Sequence, residues 1–177
     1  MEVTRIRALR GPNLWSRHTA IEAIVSCDRT GHDLGDPTRF EQSLRERFPA
    51  IGALGQAGRP ITMAHALERI ALALQAAAGC SVTFSRTTAT EIPGTFQVVV
   101  QYTEEAVGRL ALELAQALIE AARTGADFDA AAALERLREL DEDERLGPST
   151  GAIVQAALAR GIPVRRLTEG SLVQLGW

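Results

Sequence analysis

The chain has 177 residues, 46% apolar and 23% charged, which places it among ordinary globular domains and excludes global disorder. A formal net charge of −3 excludes bulk attraction to nucleic acid or to an anionic membrane. All nineteen basic residues are Arg and none is Lys. Two origins fit that bias: GC-rich coding, or carboxylate recognition, for which the planar guanidinium fork is the better tool.

Val3–Leu9 alternates, with Thr4, Ile6 and Ala8 facing one way and Val3, Arg5 and Arg7 the other, as in a strand with one wet face. Ile21–Cys27 reads as a second strand, followed by a Gly/Asp-rich loop through Gly35. Asp36-Pro37 starts a helix, with Asp as N-cap and Pro at the first helical position. Phe40, Leu44 and Phe48 recur every four residues until Pro49 stops it. Thr62 caps a second helix that runs to Ala78, with Gly79 just past its end.

Val82–Thr87 and Phe96–Tyr102 read as an antiparallel hairpin closed around Pro93-Gly94. Thr103, Glu104 and Glu105 open a long helix whose apolar stripe runs from Val107 to Ala121, and Gly125 closes it. Asp129–Arg145 is Ala-rich, then Leu-bearing, and ends in the acidic run Asp141-Glu142-Asp143-Glu144. Gly147-Pro148 turns the chain, and Ser149 or Thr150 caps a last helix to Arg160. Val164–Leu167 and Leu172–Leu175 are short apolar runs split by Glu169-Gly170-Ser171. Two lone strands are marginal in water, so these read as the opening of a further domain.

The pattern defines an α+β fold: a mostly antiparallel or mixed sheet of about four strands packed with helices, plus an appended helical hairpin and two C-terminal strands. The expected divisions are a core over 1–126, the hairpin over 127–160 and the start of the next region over 161–177. Cys27 and Cys80 lack CxxC spacing and read as buried thiols in a reducing compartment. No apolar h-region follows Met1, and no apolar run approaches the roughly 18 residues a bilayer span needs. A cytoplasmic protein with no membrane and no nucleic-acid partner is expected.

Five segments in this order carry a family resemblance: Leu9-Arg10-Gly11-Pro12-Asn13-Leu14-Trp15-Ser16, Phe84-Ser85-Arg86-Thr87, Leu146-Gly147-Pro148-Ser149-Thr150, Gly161-Ile162-Pro163 and Ser171-Leu172-Val173-Gln174-Leu175-Gly176. Together they resemble the N-terminal region of cyanophycin synthetases. The resemblance implies an ATP-dependent ligase that builds a poly-aspartate backbone with arginine on each side-chain carboxylate. It implies an N-terminal domain, then an ATP-grasp domain that adds Asp, then a Mur-ligase-like domain that adds Arg, in a homo-oligomer. By the same resemblance the C-terminal strands begin the ATP-grasp region, ATP and Mg²⁺ belong to the full-length enzyme, and this fragment takes no cofactor. No phosphate-cradling GxxxxGK[ST] loop occurs in the chain.

In that family the N-terminal domain is understood to hold the growing polymer, here cyanophycin. A ligand that alternates carboxylate and guanidinium groups calls for both Arg and acidic side chains. The candidates are Arg5 and Arg7 on the wet face of the first strand, Arg86 beside Ser85, Thr87 and Thr88, and Glu142 and Glu144 in the acidic run. Trp15 either stacks on ligand guanidinium groups or anchors its loop.

His65-Ala66-Leu67-Glu68-Arg69 resembles the His-x-x-Glu-His of family members that cut polymer into primers with a metal site. Such spacing puts both His on one helix face to bind Zn²⁺, while Glu activates water. Here His65 and Glu68 match, but Arg69 replaces the second His and cannot ligate a metal. No metal and no catalytic residue is therefore assigned to the fragment. His18 and His32 are isolated in loops and are not recruited as ligands. Three functions remain in play: a non-catalytic polymer-binding module, a metallo-hydrolase with altered ligands, and a structural oligomerisation or docking module that uses the Ala-rich 127–160.

Overall fold

The computed structural model describes residues 1–10, 13–27, 36–52, 54, 62–168 and 170–176, and His32 with the whole loop over 28–35 lies outside them. In chain order the elements are β1 (Glu2–Leu9), β2 (Ala20–Ser26), α1 (Pro37–Arg47), α2 (Met63–Ala78), β3 (Ser85–Ala89) and β4 (Thr95–Gln101). They continue with α3 (Glu105–Thr124), α4 (Ala130–Glu144), α5 (Pro148–Ala159), β5 (Val164–Arg166) and β6 (Val173–Leu175). The fold is α+β, as the alternation of patterns predicts. β1 to β4 form one sheet in the order β1-β2-β4-β3, with every neighbour antiparallel, and β5 pairs antiparallel with β6.

The helix starts follow the capping residues. The Asp36 side chain accepts from the amides of Thr38 and Arg39, Thr62 from that of His65, and Asp129 from that of Ala132. Each satisfies a donor that the first helical turn leaves orphaned. The last helix differs from expectation. Its N-cap is Gly147 and Pro148 is its first residue, with no side-chain cap. The fixed φ of Pro starts the helix before Ser149 or Thr150 can cap it.

Helices α2 and α3 lie on one face of the sheet and bury its apolar side chains. That face presents Ile21, Ala23, Val25, Val98 and Val100, which join Leu67, Ile70, Leu74, Leu112, Leu118 and Ile119 in one core. Phe40 and Leu44 of α1 complete it, and α4 adds Ala133 and Leu137. α3 approaches the sheet closely where Gly108 faces Tyr102. A Cβ there would sit 2.8 Å from Tyr102 Cβ and 3.0 Å from Ile21 Cγ1. Only glycine fits this crossing.

Two strands depart from the expected alternation. β1 carries an irregularity between Val3 and Arg5, so Val3 pairs with Val25 while Arg5 pairs with Ile24. The extra residue, Thr4, is exposed, and Val3 turns to the core instead of siding with Arg5 and Arg7. A bulge resets the side-chain period in this way. β3 begins at Ser85 rather than Val82. The Gln101 side-chain oxygen accepts from the amides of Thr83 and Phe84 at 2.9 and 3.0 Å, which holds that stretch against a side chain instead of a strand.

Candidate functional site

The face of the sheet opposite the helices has its own architecture. Reading across the paired strands gives three rows: Leu9–Ala20–Gln101–Phe84, Arg7–Glu22–Val99–Arg86 and Arg5–Ile24–Gln97–Thr88. Among the described residues no helix packs on this face. Val99 and Ala20 are buried yet do not belong to the main core, because the long side chains around them cover them. Three arginines singled out in the sequence, Arg5, Arg7 and Arg86, therefore share one surface.

Glu22 organises that surface. It is only 2% exposed although it points away from the helices. Arg7 grips it with Nε and Nη2, the latter at 2.9 Å, while the Gln97 amide donates to the same carboxylate. Arg5 Nη2 approaches to 3.9 Å. Two-point guanidinium–carboxylate pairing fixes orientation as well as charge. Burial pushes the Glu22 carboxyl up, but hydrogen bonds from Arg7 and Gln97 and the charges of Arg7 and Arg5 outweigh it and hold it below the usual carboxylate range. The Arg7 pKa rises, chiefly through its hydrogen bond to Glu22. The Arg5 and Arg7 side chains remain about half exposed (58% and 50%), so their outer donors face solvent.

One end of this face is closed by the loop at residues 13–18. The Asn13 side-chain oxygen accepts from the amides of Trp15 and Ser16, both at 2.9 Å, and its amide donates to the His18 carbonyl at 3.1 Å. The Asx turn stiffens the loop. His18 lies 6.5 Å, ring to ring, from Phe84, and the two residues with Trp15 and Arg17 line a shallow cleft of about 390 Å³. Trp15 is half-buried.

Glu142 and Glu144 lie elsewhere, at the C-terminal end of α4, which packs on α2 and α3. Glu142 pairs with Arg145 at 3.1 Å. The Glu144 carbonyl accepts from Arg166, which also binds Glu104 at 3.1 Å and so ties β5 to the start of α3. Burial raises the Glu104 pKa against the opposing pull of Arg166. The sheet arginines and the acidic run do not form one site.

The His65–Arg69 stretch occupies the first turns of α2. Glu68 turns inward, 7% exposed, and accepts from the Ser85 hydroxyl at 2.7 Å. His65 Nδ1 lies 2.8 Å from the Thr62 hydroxyl, and its ring meets Phe96 edge-on at 6.4 Å. Arg69 is exposed. Three residues of one motif thus point in three directions. Among the described residues no three His, Cys, Asp or Glu side chains gather as a metal set. Zinc does not fit these residues, because the Glu68 carboxylate is already held by Ser85 and the third position carries a cation.

Sequence reasoning missed Glu22 and Gln97. A signal for Glu22 was present, since it is the one charged residue in Ala20–Ser26 and a strand placed beside Arg7 must give it a partner. Gln97 carried none, because its partner lies 75 positions away.

Fold and surface define a two-layer α+β domain whose sheet is covered by helices on one side and bears a buried carboxylate among arginines on the other. Residues 40–123 match the cyanophycin synthase-like N-terminal domain. The whole chain aligns at 34% identity with the cyanophycin synthetase of Trichormus variabilis, at 35% with that of Geminocystis herdmanii and at 32% with that of a Synechocystis strain. Each alignment takes in 100% of this chain and 22% of the relative, so the chain spans about a fifth of the length of the curated relatives it matches. The chain belongs to the cyanophycin synthetase family, as its N-terminal domain.

Proposed function

We propose that this domain is a non-catalytic anchor for cyanophycin, the arginyl-poly-aspartate polymer, and that it keeps the chain end near ligase sites in the ATP-grasp and Mur-ligase-like domains of one cytoplasmic enzyme. ATP and Mg²⁺ serve those sites, not this one. The observation that carries the proposal is the clustering of Arg5, Arg7 and Arg86 on a face of the sheet that no described helix covers. Guanidinium groups there offer forked donors to ligand carboxylates, while the Phe84 and Trp15 rings and the Gln97 amide offer contacts for ligand guanidinium groups. Tethering raises the local concentration of polymer at the ligase sites, so successive additions become quasi-intramolecular.

Calorimetric titration of the domain with soluble polymer tests this. Saturable binding that weakens with salt and falls in Arg5→Ala and Arg86→Ala is expected; no saturable heat at low ionic strength rejects it.

A second role rests on a separate observation. Among the described residues, eight large apolar side chains are exposed, and six of them lie near the C-terminus: Ile153, Leu158, Ile162, Leu167, Leu172 and Leu175. Such clustering favours a docking surface. We infer that this end packs against the following domain, or against another subunit, in the assembled enzyme. Replacing Ile153, Leu158, Leu167, Leu172 and Leu175 with Ser in a full-length synthetase, and measuring mass and activity separately, tests it. Loss of assembly with polymer affinity retained assigns docking to this end.

A further inference from the structure

The Arg7–Glu22–Val99–Arg86 row places its two arginines on the outer strands of the sheet. Three strand spacings separate them, about 14 Å between Cα atoms. The two ends differ in construction. At one, buried Glu22 takes Arg7 Nε and Nη2 and leaves Nη1 without a partner among the described residues, with Arg5 beside it. At the other, Arg86 is exposed and makes no ion pair among the described residues. Between them lies Val99, 2% exposed, with no charge to interrupt the row. Three guanidinium groups thus face one carboxylate that is already engaged, and the surface retains capacity for anions.

We propose that this face seats an acidic chain crosswise to the strands, one carboxylate at the Arg5/Arg7 station and a second at Arg86. The proposal rests on the anchoring role above and adds its geometry, ligand polarity and minimum length. An extended chain covers about 3.3–3.6 Å per residue, so roughly four residues are needed to bridge the stations. A shorter ligand can occupy either station but not both at once. A longer one gains from the second contact as an intramolecular event at millimolar effective concentration.

The probes are the dipeptide Asp-Asp and an octa-aspartate, titrated at low ionic strength by calorimetry and by the Arg Nε–H resonances of ¹⁵N-labelled protein. The octapeptide is expected to bind at least about tenfold more tightly than the dipeptide, with one molecule per domain. Arg86→Ala removes an exposed side chain that makes no ion pair among the described residues and does not threaten the fold. It should reduce the octapeptide to the dipeptide's affinity while leaving the dipeptide-induced shifts at Arg5 and Arg7 unchanged. Equal affinity of the two probes, or an octapeptide affinity that survives Arg86→Ala, overturns crosswise seating. If soluble polymer still binds saturably in that case, the anchoring role stands without this geometry. If neither polymer nor octapeptide binds, both readings fall together.

Discussion

The two faces of the sheet are built from the same strands and held by different physics. On the helical face, Ile21, Ala23, Val98 and Val100 meet α2 and α3 in a continuous apolar core. On the other, one residue along each strand, Arg7, Glu22, Val99 and Arg86 form a row in which burial is achieved by long polar side chains. Dispersion and the hydrophobic effect are indifferent to pH and salt over the usual range, whereas a carboxylate held by arginines is not. The first face makes the domain stable. The second makes it responsive to pH and ionic strength. Substitutions that separate stability from pH dependence and from binding can break that division.

The largest effect belongs to the helical face. Leu118 of α3 is fully buried, and Leu118→Ala should cost about 3 kcal/mol, through lost transfer energy and the cavity left behind. For a chain of this size that lowers Tm by roughly 6–12 °C. Calorimetric melting should show an equal loss at pH 4 and pH 7, with polymer affinity of the folded fraction unchanged. Gly108→Ala should cost less, about 1–2 kcal/mol, because crowding against Tyr102 is partly offset by better helix propensity. A stabilised Gly108→Ala protein would show that α3 can back away from the sheet.

Arg7→Ala probes the other face and should cost about 1–2 kcal/mol at neutral pH, since Glu22 keeps Gln97 and Arg5 but loses its two-point partner. The pH dependence follows from the direction of the Glu22 shift. Its folded pKa lies below the ordinary 4.5, so its contribution is present above 4.5 and is lost as pH falls through the lower folded value. The wild-type and Arg7→Ala stability curves should therefore be separated at pH 7 and converge in acid. Glu105, also held low because Arg10 and Arg109 outweigh its burial, titrates in the same window in both proteins and cancels in the difference. A gap that is independent of pH would mean that Arg7 stabilises by packing, not through Glu22.

Much of the fold was legible because local chemistry specified it. Asp36 and Thr62 declared helix starts that the structure honours, and alternation put Arg5 and Arg7 on one side of β1. Non-local pairing was not legible. The bulge at Thr4 exists only against β2, so alternation assigned Val3 to the wrong side. The start of β3 depends on a side chain of β4, and the burial of Glu22 depends on β1 and β4 together. Of the candidate site, the arginines emerged by residue type and periodicity. Their gathering into rows with Glu22 and Gln97 required the strand order, which no local pattern contains.

The smallest predicted effect falls on the other buried carboxylate among the described residues and bears on the hydrolytic alternative. Glu68, like Glu22, is hidden beside the sheet, but it faces the helical side and accepts from the Ser85 hydroxyl at 2.7 Å. If its part is structural, an uncharged acceptor of the same shape serves equally. Glu68→Gln keeps an oxygen for Ser85 and should change stability by less than about 1 kcal/mol. Ser85→Ala strips the partner from a buried carboxylate and should cost more, about 1–2 kcal/mol. A water-activating glutamate behaves in the opposite way, because the amide cannot take a proton and turnover is lost while the fold is intact. Incubating wild type and Glu68→Gln with soluble polymer and Zn²⁺ separates the two. Identical, undegraded polymer from both is expected of a carboxylate committed to Ser85. Chelator-sensitive cleavage by the wild type, abolished in Glu68→Gln, would mean that Glu68 leaves Ser85 to reach a metal and that α2 is the catalytic element of this domain.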